Sequence, residues 1–270
     1  MNANLLRFFS ALLISGSLLW AVGCSTVPIT GRKQLSLVSP AQEMELGLAS
    51  FQQMKQQIPI SRDASAQAMV EKVGRRIAAV ASKVDLPNAQ WEFVVFDSKE
   101  MNAFCLPGGK VGVYTGLLGI TQDEAGLATV LGHEVAHAAA HHGGERMSEA
   151  MLMQTGGQIV GSLAASDPRK QAGAMLAYGL VTQYGRELPH SRRQEAEADE
   201  IGLMYMARAG YNPRKALDFW QRFSQATAGS DTTPSFFRTH PVTADRIKHI
   251  QELLPKAESE FARSAVPSGR

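Results

Sequence analysis

The chain has 270 residues, of which 44% are hydrophobic, and this is enough to bury one large core in one domain or two closely packed lobes. Lysine and arginine number 27 against 25 aspartate and glutamate residues, a balance that argues against nucleic acid and against an anionic membrane surface as the main partner. The sequence has no self-similar period, which excludes a helical repeat array.

Residues 1–23 have the pattern of a secretory signal peptide. Arg7 lies near the start, an apolar stretch follows from Ala11 to Val22, and small residues precede Cys24. The apolar stretch is too short to span a bilayer. The letters AVGC that end at Cys24 resemble the lipobox of bacterial lipoproteins, so we expect this cysteine to be acylated. Cleavage by an ordinary signal peptidase at the same position is the alternative.

The residues after the signal peptide predict where the chain goes and how it is attached. Ser25, rather than an aspartate, follows the cysteine, which is typical of lipoproteins that reach the outer membrane. We therefore expect a periplasmic protein anchored to the outer membrane through Cys24. Residues 24–39 contain Pro28 and Gly31 and are followed by Pro40, and this composition predicts a polar, lipid-anchored tether.

Helical and extended patterns alternate along residues 40–255, which we expect to form one globular domain. The predicted helices fall at 41–57, 64–84, 123–142, 146–163, 170–184, 191–209, 213–226 and 242–254. Residues 91–96 have strand composition, and Gly108 and Gly109 between two extended runs predict a hairpin. The sequence thus predicts an α+β fold, mainly helical with a small sheet. Residues 256–270, rich in Ser, Ala and Pro, predict a disordered tail.

Four of the seven histidines lie close together, in the run GHEVAHAAAHH that begins at position 132. His133 and His137 are four residues apart, so on a helix they share one face at a Cβ separation of roughly 5–6 Å and can bind one zinc ion. Glu134 lies beside them and is placed to act as a general base. His141 is about 12 Å from His133 along the helix axis, too far to bind the same ion.

A second motif, with the letters SRRQEAEADEIG from position 191, contains two acidic residues on one helix face. Glu195 and Asp199 are four residues apart, whereas Glu197 points elsewhere and is expected to pair with Arg193 on the exposed side. An HExxH run can occur by chance on a solvated helix, and an acidic run is commonly a solvated helix face. Their presence in one chain favours a metal site over both alternatives.

Small residues on the second motif predict a close helix crossing. They are Ala196, Ala198 and Gly202. With the two helices in contact, Glu195 becomes the third zinc ligand and leaves the fourth position for water. Asp199 is then placed to accept a hydrogen bond from a ligand imidazole.

These motifs together resemble the gluzincin metallopeptidases, a family that includes the CAAX prenyl protease and HtpX, and the nearest architecture is that of stand-alone periplasmic lipoprotein proteases. The resemblance covers roughly residues 28–254 and adds Pro28–Leu37, Asn102–Phe104, Pro107–Gly109, Val113–Gly116, His240-Pro241 and Arg246-Ile247 to the two motifs above. It implies one zinc ion per chain on His133, His137 and Glu195, with Glu134 as the catalytic base.

The resemblance also implies how substrates bind. Asn102, Ala103 and Phe104 are expected to form an edge to which a polypeptide adds as an extra strand. His240 is expected near the metal, where it caps the ion at rest or stabilises the oxyanion, although a histidine before a helix-starting proline is equally often structural.

We therefore expect an endopeptidase that degrades unfolded or misassembled envelope proteins. The alternative is an envelope chaperone or scaffold with a structural or latent zinc site. Residues 147–183 are either a mobile cover or ordinary packing helices, and Cys105 is expected to be a buried free thiol.

Overall fold

The computed structural model describes residues 24–27, 29–83, 85–165, 167–183, 188–227 and 235–265. The predicted signal peptide and residues 266–270 lie outside this part of the chain. The strands are β1 (Cys24–Thr26), β2 (Lys33–Leu35), β3 (Glu92–Phe96), β4 (Ala103–Leu106) and β5 (Lys110–Tyr114). The helices are α1 (Pro40–Gln57), α2 (Ala64–Ala81), α3 (Thr115–Thr121), α4 (Glu124–Ala139), α5 (His142–Leu163), α6 (Pro168–Thr182), α7 (Leu188–Arg208), α8 (Arg214–Thr227), α9 (Ser235–Thr239) and α10 (Ala244–Ala265).

The main sheet has the strand order β3-β5-β4. Strands β3 and β5 are parallel, whereas β4 and β5 form the predicted antiparallel hairpin. The turn depends on Gly108 and Gly109, whose φ angles of 85° and 80° lie in the region that glycine adopts without strain. Strand β4 therefore lies at an edge of this sheet.

Both faces of this sheet are covered. One face contributes Val95, Val111 and Val113 to the main core, which also contains the buried residues of α2, α4 and α7. The opposite face forms a separate cluster that includes Phe51 of α1 and Phe96 of β3. This arrangement of helices around a small sheet confirms the predicted α+β class.

Helix α4 is the centre of the domain and is buried on every side from Gly126 to its end. It begins at Asp123, whose side chain accepts a hydrogen bond from the Gly126 N–H at 2.7 Å. The prediction of one helix over 123–142 is wrong at its end, because the chain leaves the helix at Ala140 and His141 adopts a left-handed φ of 54°. His141 consequently turns away from the other histidines, and its Nδ1 lies 2.9 Å from Glu43 Oε2.

The N-terminal residues pack against the domain, so the predicted polar tether over 24–39 is wrong for the residues that the structure describes. Strands β1 and β2 form an antiparallel hairpin in which Cys24 is paired with Leu35. Val27 is fully buried, and the Leu37 N–H donates to Ser148 Oγ at 2.9 Å. Sequence composition missed this packing because the contacts are made with α5 and α7, which follow more than 100 residues later.

The C-terminal residues also differ from the prediction. Helix α10 runs to Ala265, so the predicted disordered tail is wrong for 256–265. Leu254 and Ala257 are buried and Phe261 packs against the same core, at spacings that place them on one helix face. Among the described residues, no helix combines the length and the apolar composition needed to cross a bilayer.

Candidate metal centre

The site is built where α4 and α7 cross. A Cβ atom added to Gly202 would lie 2.8 Å from the backbone carbonyl carbon of Gly132 and from the backbone nitrogen of His133. The two backbones are thus in direct contact, as the small residues of the second motif predict. Ala198, one turn earlier on α7, is fully buried. This crossing brings the acidic side chains of α7 beside the histidines of α4.

Four side chains with metal-binding atoms converge at the crossing. His133 Nε2 and His137 Nε2 are 3.1 Å apart, and the two oxygens of Glu195 lie 3.3 Å and 3.2 Å from these nitrogens. His240 joins them from the loop after α9, with its Nδ1 3.2 Å from His133 Nε2. All four ligand atoms lie within 4.8 Å of one another. The structure therefore brings together the three predicted ligands and His240.

The donor set fits a zinc ion. Zinc in proteins takes imidazole nitrogens and carboxylate oxygens in a tetrahedron with bonds of about 2.0–2.2 Å, whose edges are about 3.3–3.6 Å long. The separations between the imidazole nitrogens and the Glu195 oxygens, 3.2 Å and 3.3 Å, are close to such edges. His141 lies outside this set, as its axial distance predicts.

Glu134 lies next to the donor set and is also suited to a metal centre. It is 5% exposed, and its Oε1 has no hydrogen-bond partner among the described residues. The His240 Nε2 atom lies 3.4 Å from this oxygen without forming a hydrogen bond, so the carboxylate can still accept from a water molecule or a substrate group. Burial raises the pKa of Glu134, which brings a general base closer to neutral pH.

The imidazole of His133 is held from behind by a carboxylate and an arginine. Its Nδ1 lies 3.0 Å from Asp199 Oδ1, in the position that the sequence predicts for Asp199. Arg246 donates to both oxygens of Asp199, from Nε at 2.6 Å and from Nη2 at 2.8 Å. Its Nη1 also lies 3.1 Å from Glu195. One buried guanidinium therefore contacts the ligand Glu195 and also Asp199, which holds the ligand His133.

Sequence reasoning gave Arg246 no role beyond the family resemblance. Its side chain lies over the Trp220 ring at 4.2 Å and is 7% exposed as a residue. The available signal was a basic residue in the first turn of the amphipathic helix that follows the His240-Pro241 pair. Such a residue is usually solvent-exposed, and only the tertiary contacts with α7 reveal its position.

The electrostatics of the site keep the Glu195 carboxylate ionised. Burial would raise the pKa of Glu195, but hydrogen bonds from the surrounding histidines hold it well below its usual range. Burial and the charge of Arg246 would lower the pKa of His133, but Asp199 and Glu195 raise it to about 9. Burial lowers the pKa of His137. The pocket therefore attracts a positive charge.

Glu197 contradicts the prediction of an exposed pair with Arg193. It is 7% exposed and accepts a hydrogen bond from Arg32 Nε at 2.7 Å, and its Oε2 lies 3.0 Å from His142 Nε2. Burial would raise the pKa of Glu197, but these contacts lower it to about 2. The prediction failed because the face of α7 that carries Glu197 is covered by the β1-β2 hairpin.

A cleft of about 590 Å³ opens beside the donor set. It is lined by β4 with Asn102 just before it, and by Glu134, His137 and His240. The Tyr114 N–H donates to the Asn102 carbonyl at 3.0 Å, and hydrogen-bonded pairs alternate along an antiparallel ladder. The backbone groups of Ala103 and Cys105 consequently face the open edge. No described strand pairs with β4 on that side.

Two imidazoles on one helix turn, a carboxylate from a crossing helix and a buried glutamate beside an open edge strand define the class of HExxH metallopeptidases. Residues 47–254 match the model of Peptidase family M48. The chain therefore belongs to Peptidase family M48 and is a metalloendopeptidase.

Curated relatives extend over most of the chain. It is 34% identical to the mitochondrial metalloendopeptidase OMA1 of Schizosaccharomyces pombe over 93% of this chain and 72% of that protein. The corresponding protein of Saccharomyces cerevisiae is 30% identical over 96% of this chain and 77% of its own length. The beta-barrel assembly-enhancing protease of Escherichia coli is 27% identical over 84% of this chain and 47% of that protein.

Proposed function

We propose that the protein is a zinc-dependent endopeptidase that cleaves unfolded or misassembled proteins of the bacterial cell envelope. The observation that carries the proposal is the convergence of His133, His137 and Glu195 beside a cleft with an open strand edge. When bound, zinc supplies a Lewis acid that polarises the scissile carbonyl group and acidifies the attacking water.

Glu134 performs the proton transfers. It accepts a proton from the attacking water and returns it to the leaving amine. Its raised pKa and its Oε1 atom, which forms no hydrogen bond among the described residues, support this role. A Glu134→Gln variant keeps the side-chain volume but loses the base, so cleavage should fall by about 10²–10⁴-fold. Zinc content should stay at one per chain, because Glu134 is not a ligand.

The decisive experiment measures zinc content and cleavage of a quenched unfolded protein in the parent and in Glu134→Gln. A chelator should abolish cleavage by the parent, and added zinc should restore it. A Glu134→Gln protein that retains zinc and cleaves at the parent's rate would disprove the mechanism. Binding of an envelope protein that survives in Glu134→Gln would reveal a separate scaffold activity.

His240 has two possible roles, and one variant separates them. Its Nδ1 lies 3.0 Å from Glu195, and its Nε2 lies 3.4 Å from Glu134. As a resting fourth ligand, His240 would strengthen zinc binding, and His240→Ala should bind zinc more weakly without slower chemistry. As a donor to the oxyanion, it would leave zinc affinity unchanged, and kcat should fall by about 10²–10³-fold. No change in either quantity would remove both roles.

Substrates are proposed to bind as an added strand along β4. The outward backbone groups of Ala103 and Cys105 support this mode, which reads the substrate backbone more than its side chains. A peptide substrate with single N-methyl groups at successive amides tests it. Methylation should weaken binding with a period of two residues, because alternate amides face the edge. An effect that does not alternate would contradict strand addition.

The cellular location is proposed from the sequence. The lipobox-like letters before Cys24 support a lipid anchor at the outer membrane, and the relative from Escherichia coli is named a beta-barrel assembly-enhancing protease. Labelling cells with a fatty-acid analogue should mark the parent but not Cys24→Ser. Equal labelling of both, or of neither, would refute the anchor and leave the peptidase chemistry untouched.

A further inference from the structure

A buried chain of polar contacts connects the N-terminal hairpin to the metal ligand His137. The His137 Nδ1 lies 2.8 Å from His142 Nδ1, and the His142 Nε2 lies 3.0 Å from Glu197 Oε2. Arg32, in the turn that precedes β2, donates from Nε to the same Glu197 oxygen at 2.7 Å. His142 is fully buried, and His137 and Glu197 are 6% and 7% exposed.

The contacts define one direction of hydrogen bonding when His137 binds a metal through Nε2. Its Nδ1 must then carry the proton, so it donates to His142 Nδ1. The other nitrogen of His142 consequently carries a proton and donates to the Glu197 carboxylate. Each donor in this series of hydrogen bonds thus has an acceptor, and each imidazole is fixed in one tautomer and one orientation.

Arg32 completes the chain and joins two helices. Its Nη1 and Nη2 donate to the two oxygens of Glu145 on α5, each at 2.8 Å, while its Nε serves Glu197 on α7. Glu145 also accepts from Gln194 Nε2 on α7 at 2.8 Å. A bidentate guanidinium between buried carboxylates is a rigid contact, and its removal leaves two buried charges without their cation.

The two imidazole ligands are thus supported in parallel ways. His133 is held by Asp199, which Arg246 neutralises, and both of these partners lie within residues 47–254 that match the family model. The support of His137 is one imidazole longer. Its arginine lies outside the matched residues, in the hairpin that begins at Cys24.

We propose that Arg32, Glu197 and His142 are positioning residues for the metal ligand His137. The N-terminal hairpin, which supplies Arg32, thereby helps to set the geometry of the metal centre. This proposal rests on the proposed zinc peptidase activity. It predicts that the loss of any member loosens the orientation of His137, weakens zinc binding and lowers kcat. It predicts no change in KM, because Arg32, His142 and Glu197 are not among the residues that line the cleft beside β4.

The test uses His142→Phe, which keeps a buried ring but removes the acceptor for His137. Zinc affinity is measured by competition with a chromophoric chelator, and the geometry of the site by the visible absorption of the cobalt-substituted protein. Zinc affinity should fall by about 10–100-fold, and the cobalt spectrum should change. Glu197→Gln should weaken binding in the same way, and Arg32→Lys should lie between Arg32→Ala and the parent.

The matched control is Arg75→Ala. Arg75 also pairs with a glutamate, Glu71, at 2.6 Å, but both side chains are exposed, so zinc affinity and spectrum should equal those of the parent. If Arg32→Ala does not fold, His142→Phe and Glu197→Gln decide the question. Folded His142→Phe with the parent's zinc affinity and cobalt spectrum would overturn the proposal.

Failure of the proposed function gives a different result. A parent that binds zinc but cleaves no polypeptide refutes the peptidase, whereas the affinity and spectrum of the variants still test the positioning chain.

Discussion

The crossing of α4 and α7 makes Gly202 the position at which the smallest change should have the largest effect on the metal centre. In Gly202→Ala the new Cβ would lie 2.8 Å from the backbone of Gly132 and His133, whereas ordinary contact begins at 3.4 Å. The helices must therefore separate by about 0.6 Å, the difference between these two distances. Overpacking of this kind costs about 1–3 kcal/mol of folding free energy.

The displacement should reach the ligands. Glu195 lies two turns from Gly202, about 10 Å along the same rigid helix, so it moves with α7 away from His133 and His137. A misplacement of about 1 Å can reduce a rate by about 10²-fold, so Gly202→Ala should lose much of its activity and bind zinc more weakly. For a domain of this size, the lost stability corresponds to a melting temperature lower by about 2–12 °C.

The assay compares melting temperature, zinc affinity and peptide cleavage in the parent, Gly202→Ala and Gly173→Ala. Gly173 lies on α6, and a Cβ there would meet no atom within 4 Å, so alanine should leave zinc binding unchanged and raise stability by up to about 1 kcal/mol. A Gly202→Ala protein with the parent's melting temperature, zinc affinity and rate would refute the argument that backbone contact sets the ligand geometry.

Three further changes test other parts of the structure. Arg246→Gln leaves Asp199 and Glu195 without their buried cation, so denaturant unfolding should show a loss of about 3–5 kcal/mol, and an unchanged midpoint would contradict the assigned contacts. Zinc at 100 times its Kd should add about 2.7 kcal/mol, so chelation should lower the melting temperature by several degrees, and no shift would argue against a bound metal. The hydrogen bond to Glu43 raises the pKa of His141 above its ordinary 6.5, so this contact stabilises the fold fully below pH 6.5 and is lost as pH rises through the folded value. Unfolding measured from pH 5.5 to 9 should therefore show this decline in the parent and not in His141→Gln, and parallel curves would exclude it.

The parts of the site that could be predicted from sequence are those encoded by local spacing. His133 and His137 share a face because they are four residues apart, and the small residues of α7 indicate a close crossing wherever that helix docks. The hairpin at Gly108 and Gly109 is similarly local, since two glycines between extended runs indicate a turn. Each of these patterns can be interpreted without knowledge of the rest of the chain.

The parts that could not be predicted depend on partners far along the chain. Glu197 reads as an exposed residue until Arg32, 165 positions earlier, is placed against it. The same long separation hid the role of Arg246, which contacts Asp199 across 47 residues. Composition misled at both ends, because residues 24–39 and 256–265 are polar or small yet carry a few apolar side chains that pack on the core.

The balance of buried charge explains why the centre needs a cation. Four buried carboxylates contact the two imidazole ligands directly or through one further residue, and one buried and one partly buried arginine face them. The carboxylates are those of Glu134, Glu195, Glu197 and Asp199, the buried arginine is Arg246 and the partly buried one is Arg32. Buried charges are tolerated only when they are paired, so the excess of negative charge must be offset within the site. A divalent ion offsets this excess, and the raised pKa of Glu134 suits a carboxylate that takes up a proton during the reaction. The residues that bind the metal and the residue that moves the proton are thus linked by one electrostatic requirement.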